Sequence, residues 1–126
     1  MVEYSEKLND LGHHAIIHPM IIELAEGKNP ELQKKIDSNH SEAKKQHGFI
    51  KWYYNAIANS DAILVLNFDK NGIKNYVGGN TLMEIGFAHV NDKKVFLLNP
   101  VPESSYKQEI LAMLTKVING NLKEIK

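Results

Sequence analysis

The sequence contains no cysteine, which removes disulfides, thiolate metal sites and a cysteine nucleophile together. It also lacks an excess of charge of either sign, since 15 basic residues balance 15 acidic ones. A polyanion binder needs a local surplus of Lys and Arg to displace condensed counterions. Here Lys34-Lys35, Lys44-Lys45 and Lys93-Lys94 are isolated pairs among acids, the pattern of a solvated surface, so no nucleic acid polymer is expected as a partner. No apolar run approaches the ~18 residues that suggest a membrane span. The opening Met1-Val2-Glu3-Tyr4-Ser5-Glu6-Lys7 is amphipathic and acidic, unlike a signal peptide. The simplest expectation is a cytoplasmic protein with no membrane partner. Internal repeats and low-complexity linkers are missing too. No H-x-x-x-H pair carries an acid partner, and His13-His14, His40 and His47 have no ligand spacing, so no metal site is expected. No G-x-S-x-G elbow marks a serine hydrolase.

What remains is a chain of 126 residues, 43% hydrophobic and 24% charged, which suits one globular domain with a single core. Val2 to Leu11 reads as a helix stopped by Gly12, and His14 to His18 as a short strand before Pro19. Short helices are expected at Met20 to Ala25 and Pro30 to Ile36. Phe49 to Ala58 sets Ile50, Tyr53, Tyr54 and Ile57 at helical spacing. Asp61 to Asn67 has a continuous apolar centre, the signature of a strand buried on both faces. Phe68 to Gly79 is a loop with an Asn71-Gly72 turn signal, Thr81 to Val90 a helix, and Lys94 to Pro100 a second buried strand. A helix from Ser105 to Leu114 and a weak strand at Val117-Ile118 complete the pass.

Alternating strands and helices favour an α/β fold with a doubly wound parallel sheet, Rossmann-like in class. Ligands of such sheets sit beyond the carboxyl ends of the strands, at a topological switch point. His18, Asn67, Asp69 and Asn99 fall at or just past strand ends and are candidate substrate-binding residues. Sheets of this kind usually open with a strand and a glycine-bearing loop. Here a helix comes first, so the expected sheet lacks its usual first strand, with its exposed edges covered by partner strands or swapping.

The most informative stretch is Tyr76-Val77-Gly78-Gly79-Asn80-Thr81-Leu82-Met83-Glu84-Ile85-Gly86-Phe87-Ala88. A Gly-Gly turn lets backbone approach a ligand closely, and the helix behind it offers unpaired N–H groups and a positive dipole end. Glu84 is expected in the first turn or so, sharing a face with Thr81 and Ala88. Thr81-Leu82-Met83-Glu84 also fits a capping box, in which Glu84 merely satisfies a backbone donor. Trp52-Tyr53-Tyr54 suits helix packing, a subunit interface or base stacking.

Ser60-Asp61-Ala62-Ile63-Leu64-Val65-Leu66-Asn67, the glycine loop, Thr81-x-x-Glu84-x-Gly86-x-Ala88 and the strand Lys94 to Asn99 together resemble the nucleoside 2-deoxyribosyltransferase-like superfamily. The resemblance spans roughly Phe49 to Met113. It implies a flavodoxin-like sheet, a homo-oligomer such as a dimer, and a small-molecule nucleoside or nucleotide as substrate. It further implies cleavage or exchange of an N-glycosidic bond without cofactor or metal, and the family's glutamate nucleophile maps onto Glu84. A carboxylate stabilises or traps the oxocarbenium-like anomeric carbon that such cleavage creates. The amides of Gly78, Gly79 and Asn80 would then hold sugar or phosphate oxygens, Asn67 or Asp69 would hydrogen-bond the sugar or leaving base, and His18 or Asn99 would line the pocket. Tyr53 stands where the family usually has an Asp, and Gly78 and Gly79 where another acid is common. Hydrolase, transferase and non-catalytic nucleotide-binding or assembly module therefore stay open as readings.

Overall fold

The computed structural model describes residues 2–16 and 48–125. The chain divides into two compact units, Met1–Tyr53 and Tyr54–Lys126, and the expected site residues lie in the second, His18 excepted.

In the first unit, helix α1 spans Val2–Asp10. Glu3 and Lys7 pair one turn apart at 3.1 Å, and the Lys7 ammonium sits 5.1 Å from the Tyr4 ring centroid. Gly12 ends the helix with φ +91. The His13 N–H donates to the Leu8 carbonyl at 3.1 Å and the Gly12 N–H to Asn9 at 3.0 Å, the paired bonds of a Schellman cap. The strand expected from His14 is not formed over its described part, His14 to Ile16, where Asn9 Oδ1 instead accepts from the Ala15 N–H at 2.9 Å. Its remainder and the helices expected at Met20 to Ala25 and Pro30 to Ile36 lie outside the described residues.

Helix α2, Phe49–Ala58, matches its expected bounds. Its stop follows from side chains that compete for the last carbonyls. Ser60 Oγ donates to the Ala56 carbonyl at 2.6 Å and Asn59 Nδ2 to Asn55 at 2.8 Å. The second unit then runs β1 (Ala62–Val65), α3 (Gly79–Val90), β2 (Lys94–Leu97), α4 (Lys107–Met113) and β3 (Lys116–Val117), with a final 3-10 turn at Leu122–Glu124.

The three strands form one parallel sheet in the order β1-β2-β3, with Ala62 opposite Lys94 and Phe96 opposite Lys116. Strand residues alternate between faces. Ile63 and Val65, Val95 and Leu97, and Val117 therefore share the face that packs on Ile85 and Ala88 of α3 and Ile110 of α4. Ile57 of α2 joins the same core. Phe96 and Leu98, on the opposite face, are buried as well. The result is a mixed α/β unit with a small parallel sheet, as the alternation of elements led one to expect. Both crossover helices lie on one face because the strand order never reverses. These three strands thus contain no switch point of the kind a doubly wound sheet uses.

Two details differ from expectation. β1 is half-buried at Ala62, Ile63 and Leu64, whereas β2 is buried at Val95, Phe96 and Leu97. Among the described strands β1 has one neighbour and β2 has two, which accounts for the contrast. Helix α3 begins at Gly79, two residues ahead of Thr81. The two glycines do not form a turn there: Gly78 is extended, with φ −84 and ψ 175, and Gly79 is already helical.

Candidate functional site

The site region is assembled from the loops that leave β1 and β2 at their carboxyl ends, together with the start of α3. Asn67 and Asn99 occupy equivalent places, each two residues past its strand. Asn67 Nδ2 donates to the carbonyls of Asn99 at 2.9 Å and Pro100 at 3.1 Å. Its Oδ1 accepts from the Asn99 N–H at 2.9 Å, and Asn99 Nδ2 returns a bond to the Asn67 carbonyl at 3.0 Å. These bonds extend the parallel ladder by side chains where the backbone strands have ended. Asn67 is 0% exposed, and both its amide hydrogens and its oxygen are engaged. It holds the two loops together and has no donor left to offer a ligand. Asn99 is half-buried and keeps one amide hydrogen and its oxygen beyond these bonds.

Beyond Asn67 the loop folds as a small hairpin. Tyr76 N–H donates to the Phe68 carbonyl at 3.0 Å, and Lys70 and Ile73 exchange bonds of 3.0 and 2.9 Å. Asn71 at φ 54 and Gly72 at φ 74 form the two-residue turn, the I′ geometry that Asn-Gly favours. Asp69 is exposed, and its Oδ1 accepts from the Asn75 N–H at 2.9 Å, closing the base of the hairpin. Asn75 is itself left-handed, at φ 57.

The hairpin delivers the chain to α3. Gly78 caps the helix with no side-chain hydrogen bond, and its carbonyl accepts the first helical bond, from the Leu82 N–H at 2.9 Å. The N–H groups of Gly79, Asn80 and Thr81 precede that ladder and point out of the helix end. Thr81 is the third helical residue and caps nothing, so the capping box expected at Thr81-Leu82-Met83-Glu84 does not form. Glu84 is the sixth residue of α3, which moves it from the expected first turn into the second. It is half-buried and flanks the buried stripe of Ile85 and Ala88. Thr81, Glu84 and Ala88 share a face, since residues three and four apart stack on a helix.

The structure therefore brings Gly78, Gly79, Asn80 and Glu84 onto one helix end, beside a loop carrying Asn67 and Asp69 that is tied to Asn99. His18 lies outside the described residues. Tyr106, which the sequence did not single out, and Tyr76, the first residue of its most informative stretch, position this end. The Tyr106 hydroxyl donates a hydrogen bond to the carbonyl of buried Val77, directly before the glycines. Tyr76 packs on Gly78 so closely that a Cβ there would meet its Cε1 at 3.2 Å. The Lys70 ammonium stands 6.0 Å from the Tyr76 ring centroid. Gly79 has nothing within 4 Å of where a side chain would start. The close approach that glycine permits is thus taken up by Tyr76 at Gly78 and left open at Gly79. Tyr106 carried no local signal because its partner is 29 residues away. Of the aromatic cluster, Tyr54 packs edge-on against Phe87 of α3, with centroids 5.1 Å apart.

Among the described residues no group of three His, Asp or Glu side chains is placed to hold a metal ion, and no helix is long and apolar enough to cross a membrane. No family model matches the chain, and no curated protein or solved structure matches it significantly.

Proposed function

We propose that this protein breaks the N-glycosidic bond of a nucleoside or nucleoside 5′-monophosphate, with Glu84 as nucleophile on a flavodoxin-like scaffold. The observation that carries this reading is the place of the carboxylate: half-buried, in the second turn of a helix that follows parallel strand β1 and whose amino end has no side-chain cap. In the reaction the bond from the anomeric carbon to the base nitrogen breaks, and its electron pair leaves with the base, which takes up a proton. The Glu84 carboxylate then bonds to, or electrostatically shields, the anomeric carbon. Water completes hydrolysis, or a second base completes deoxyribosyl transfer, with no cofactor or metal in either case.

The N–H groups of Gly79, Asn80 and Thr81 would bind sugar or phosphate oxygens. All basic residues in the sequence are lysines, so a phosphate would find no guanidinium fork and would depend on these amides. Asn99 and Asp69 keep polar capacity toward the sugar or base, His18 would line the pocket, and Asn67 acts as a positioning residue. A dimer would cover the edge that β1 presents among the described strands.

A second reading, a non-catalytic nucleotide-binding or assembly module, is favoured by one observation. The amide of Asn67 is fully engaged within the fold, which leaves the site fewer polar groups for catalysis.

The two are separated by incubating the protein with deoxynucleosides, ribonucleosides and their 5′-monophosphates and following free base by chromatography. Release by the wild type, reduced on the order of a thousandfold or more in Glu84→Gln, supports the enzyme. Saturable nucleotide binding without release supports the module. Neither release nor binding rejects both.

A further inference from the structure

The sequence contains two Asn-Gly pairs in the described residues, and the fold treats them differently. Asn71-Gly72 and Asn119-Gly120 both adopt the I′ turn, with φ 54 and 74 in the first and 49 and 79 in the second. In each, the flanking residues close the turn: Ile73 N–H to Lys70 at 2.9 Å, and Asn121 N–H to Ile118 at 3.0 Å. Neither glycine has a neighbour within 4 Å of a Cβ position, so crowding does not distinguish them. The glycine amides do. The Gly120 N–H donates to the carbonyl of Leu98 at 2.9 Å, and Leu98 is 2% exposed. The Gly72 N–H has no acceptor among the described residues. The surroundings differ in the same sense. Lys70, Asn71, Gly72, Ile73 and Lys74 are all exposed, whereas Asn119, Gly120 and Asn121, exposed themselves, stand between buried Ile118 and Leu122.

We propose that Asn71 is a site of spontaneous deamidation in the folded protein and that Asn119 is protected by the bond from Gly120 to Leu98. The Gly72 amide nitrogen loses its proton to base and attacks Asn71 Cγ. A new N–Cγ bond forms, the Cγ–Nδ2 bond breaks, and Nδ2 departs as ammonia with protons from solvent, leaving a succinimide. Water then adds to one of the two ring carbonyls and breaks its bond to the ring nitrogen. Opening at Cγ leaves an ordinary aspartate in place of Asn71, and opening at the main-chain carbonyl leaves isoaspartate. The attacking nitrogen must be free of a hydrogen bond, and the turn must leave its resting dihedrals to bring it onto Cγ. At Asn71 this opening disturbs only the bonds of the exposed hairpin tip. At Asn119 it also breaks the bond to Leu98 and disturbs buried neighbours, the kind of difference that sets local opening free energies.

The products matter to the fold. Either one adds a negative charge to the hairpin, and the isoaspartate lengthens its backbone by a methylene, which the reciprocal Lys70–Ile73 bonds cannot span. That hairpin leads directly to Gly78 and the start of α3. This inference does not depend on the glycosidic reading.

The test is timed incubation of the intact folded chain in mildly alkaline buffer, followed by peptide mapping of both Asn-Gly sites, with the denatured chain as reference. In the folded protein, conversion at Asn71 is expected to outpace that at Asn119 by on the order of tenfold or more, the factor associated with breaking one backbone hydrogen bond. Denaturation should bring the two rates together. Asn71→Gly, which keeps a turn sequence suited to I′, should abolish the product at this site and leave Asn119 unchanged. Comparable rates at the two sites in the folded protein, or a faster Asn119, would overturn the proposal. So would an Asn71 that stays intact while the denatured chain reacts there.

Discussion

Asn67 and Asn99 clasp each other across the carboxyl ends of β1 and β2, each side chain bonding to the other's main chain at 2.9–3.0 Å. The two are not equivalent, however. Asn67 is buried and uses all its amide hydrogens, whereas Asn99 is half-buried and bonds through one.

The asymmetry predicts unequal mutational costs. Asn67→Ala strands the Asn99 N–H and two carbonyls and should cost about 3 kcal/mol, while Asn99→Ala removes one side-chain donor and should cost about 1 kcal/mol. The double variant should lose less than the sum: the two substitutions remove different bonds, but either one releases the same pair of loops, so the second has less left to disturb. Urea titration of all three measures this, and strict additivity would reject the clasp.

Tyr106 anchors the residue before the glycine pair through its hydroxyl. Tyr106→Phe keeps the ring and should destabilise by about 1 kcal/mol. Hydrogen exchange should quicken at Leu82, the first amide of the α3 ladder. Unchanged stability and exchange would mean that the hydroxyl does not hold this segment.

The two adjacent glycines should respond in opposite ways. Gly79→Ala places a methyl in open space at the first helical position and should stabilise by roughly 0.5 kcal/mol, from the helical preference of Ala over Gly. If substrate approaches this backbone, the same variant should lose affinity for nucleotide. Gly78→Ala pushes against the Tyr76 ring at 3.2 Å and should cost about 1 kcal/mol. Adding Tyr76→Ala should remove that steric penalty, which thermal melts of the single and double variants can measure.

Ser104 presents the opposite problem to Asn67. Its Oγ is buried and has no hydrogen-bond partner among the described residues. Ser104→Ala removes an unpaired polar atom and should be neutral or stabilising by up to about 1 kcal/mol. A loss larger than that in urea titration would reveal a partner for this hydroxyl.

Helix α2 was legible to both ends because its signals are local: apolar residues at helical spacing, then Asn59 and Ser60 to stop it. The start of α3 was misread for an equally local reason. Gly78-Gly79 followed by Asn and Thr resembles a turn with a cap, and only the packing of Tyr76 and the bond from Tyr106 show why the chain enters the helix at Gly79. The same shift moved Glu84 from the first turn to the second.

By itself, then, the sequence determined the alternation of helices and strands from Phe49 onward, and with it the parallel character of the sheet, the apolar stripes and the Asn71-Gly72 turn, because these are read from neighbours within a few residues. Tertiary structure alone decided the sequential strand order and the engagement of Asn67. It also decided which of two identical Asn-Gly pairs has its glycine amide bonded. Each of these depends on groups distant in sequence, such as Asn67 and Asn99, 32 residues apart, that meet only when the strands pair. A local pattern can specify that a polar side chain sits at a strand end; what it bonds to there is set by the burial and hydrogen-bond pairing of the folded chain.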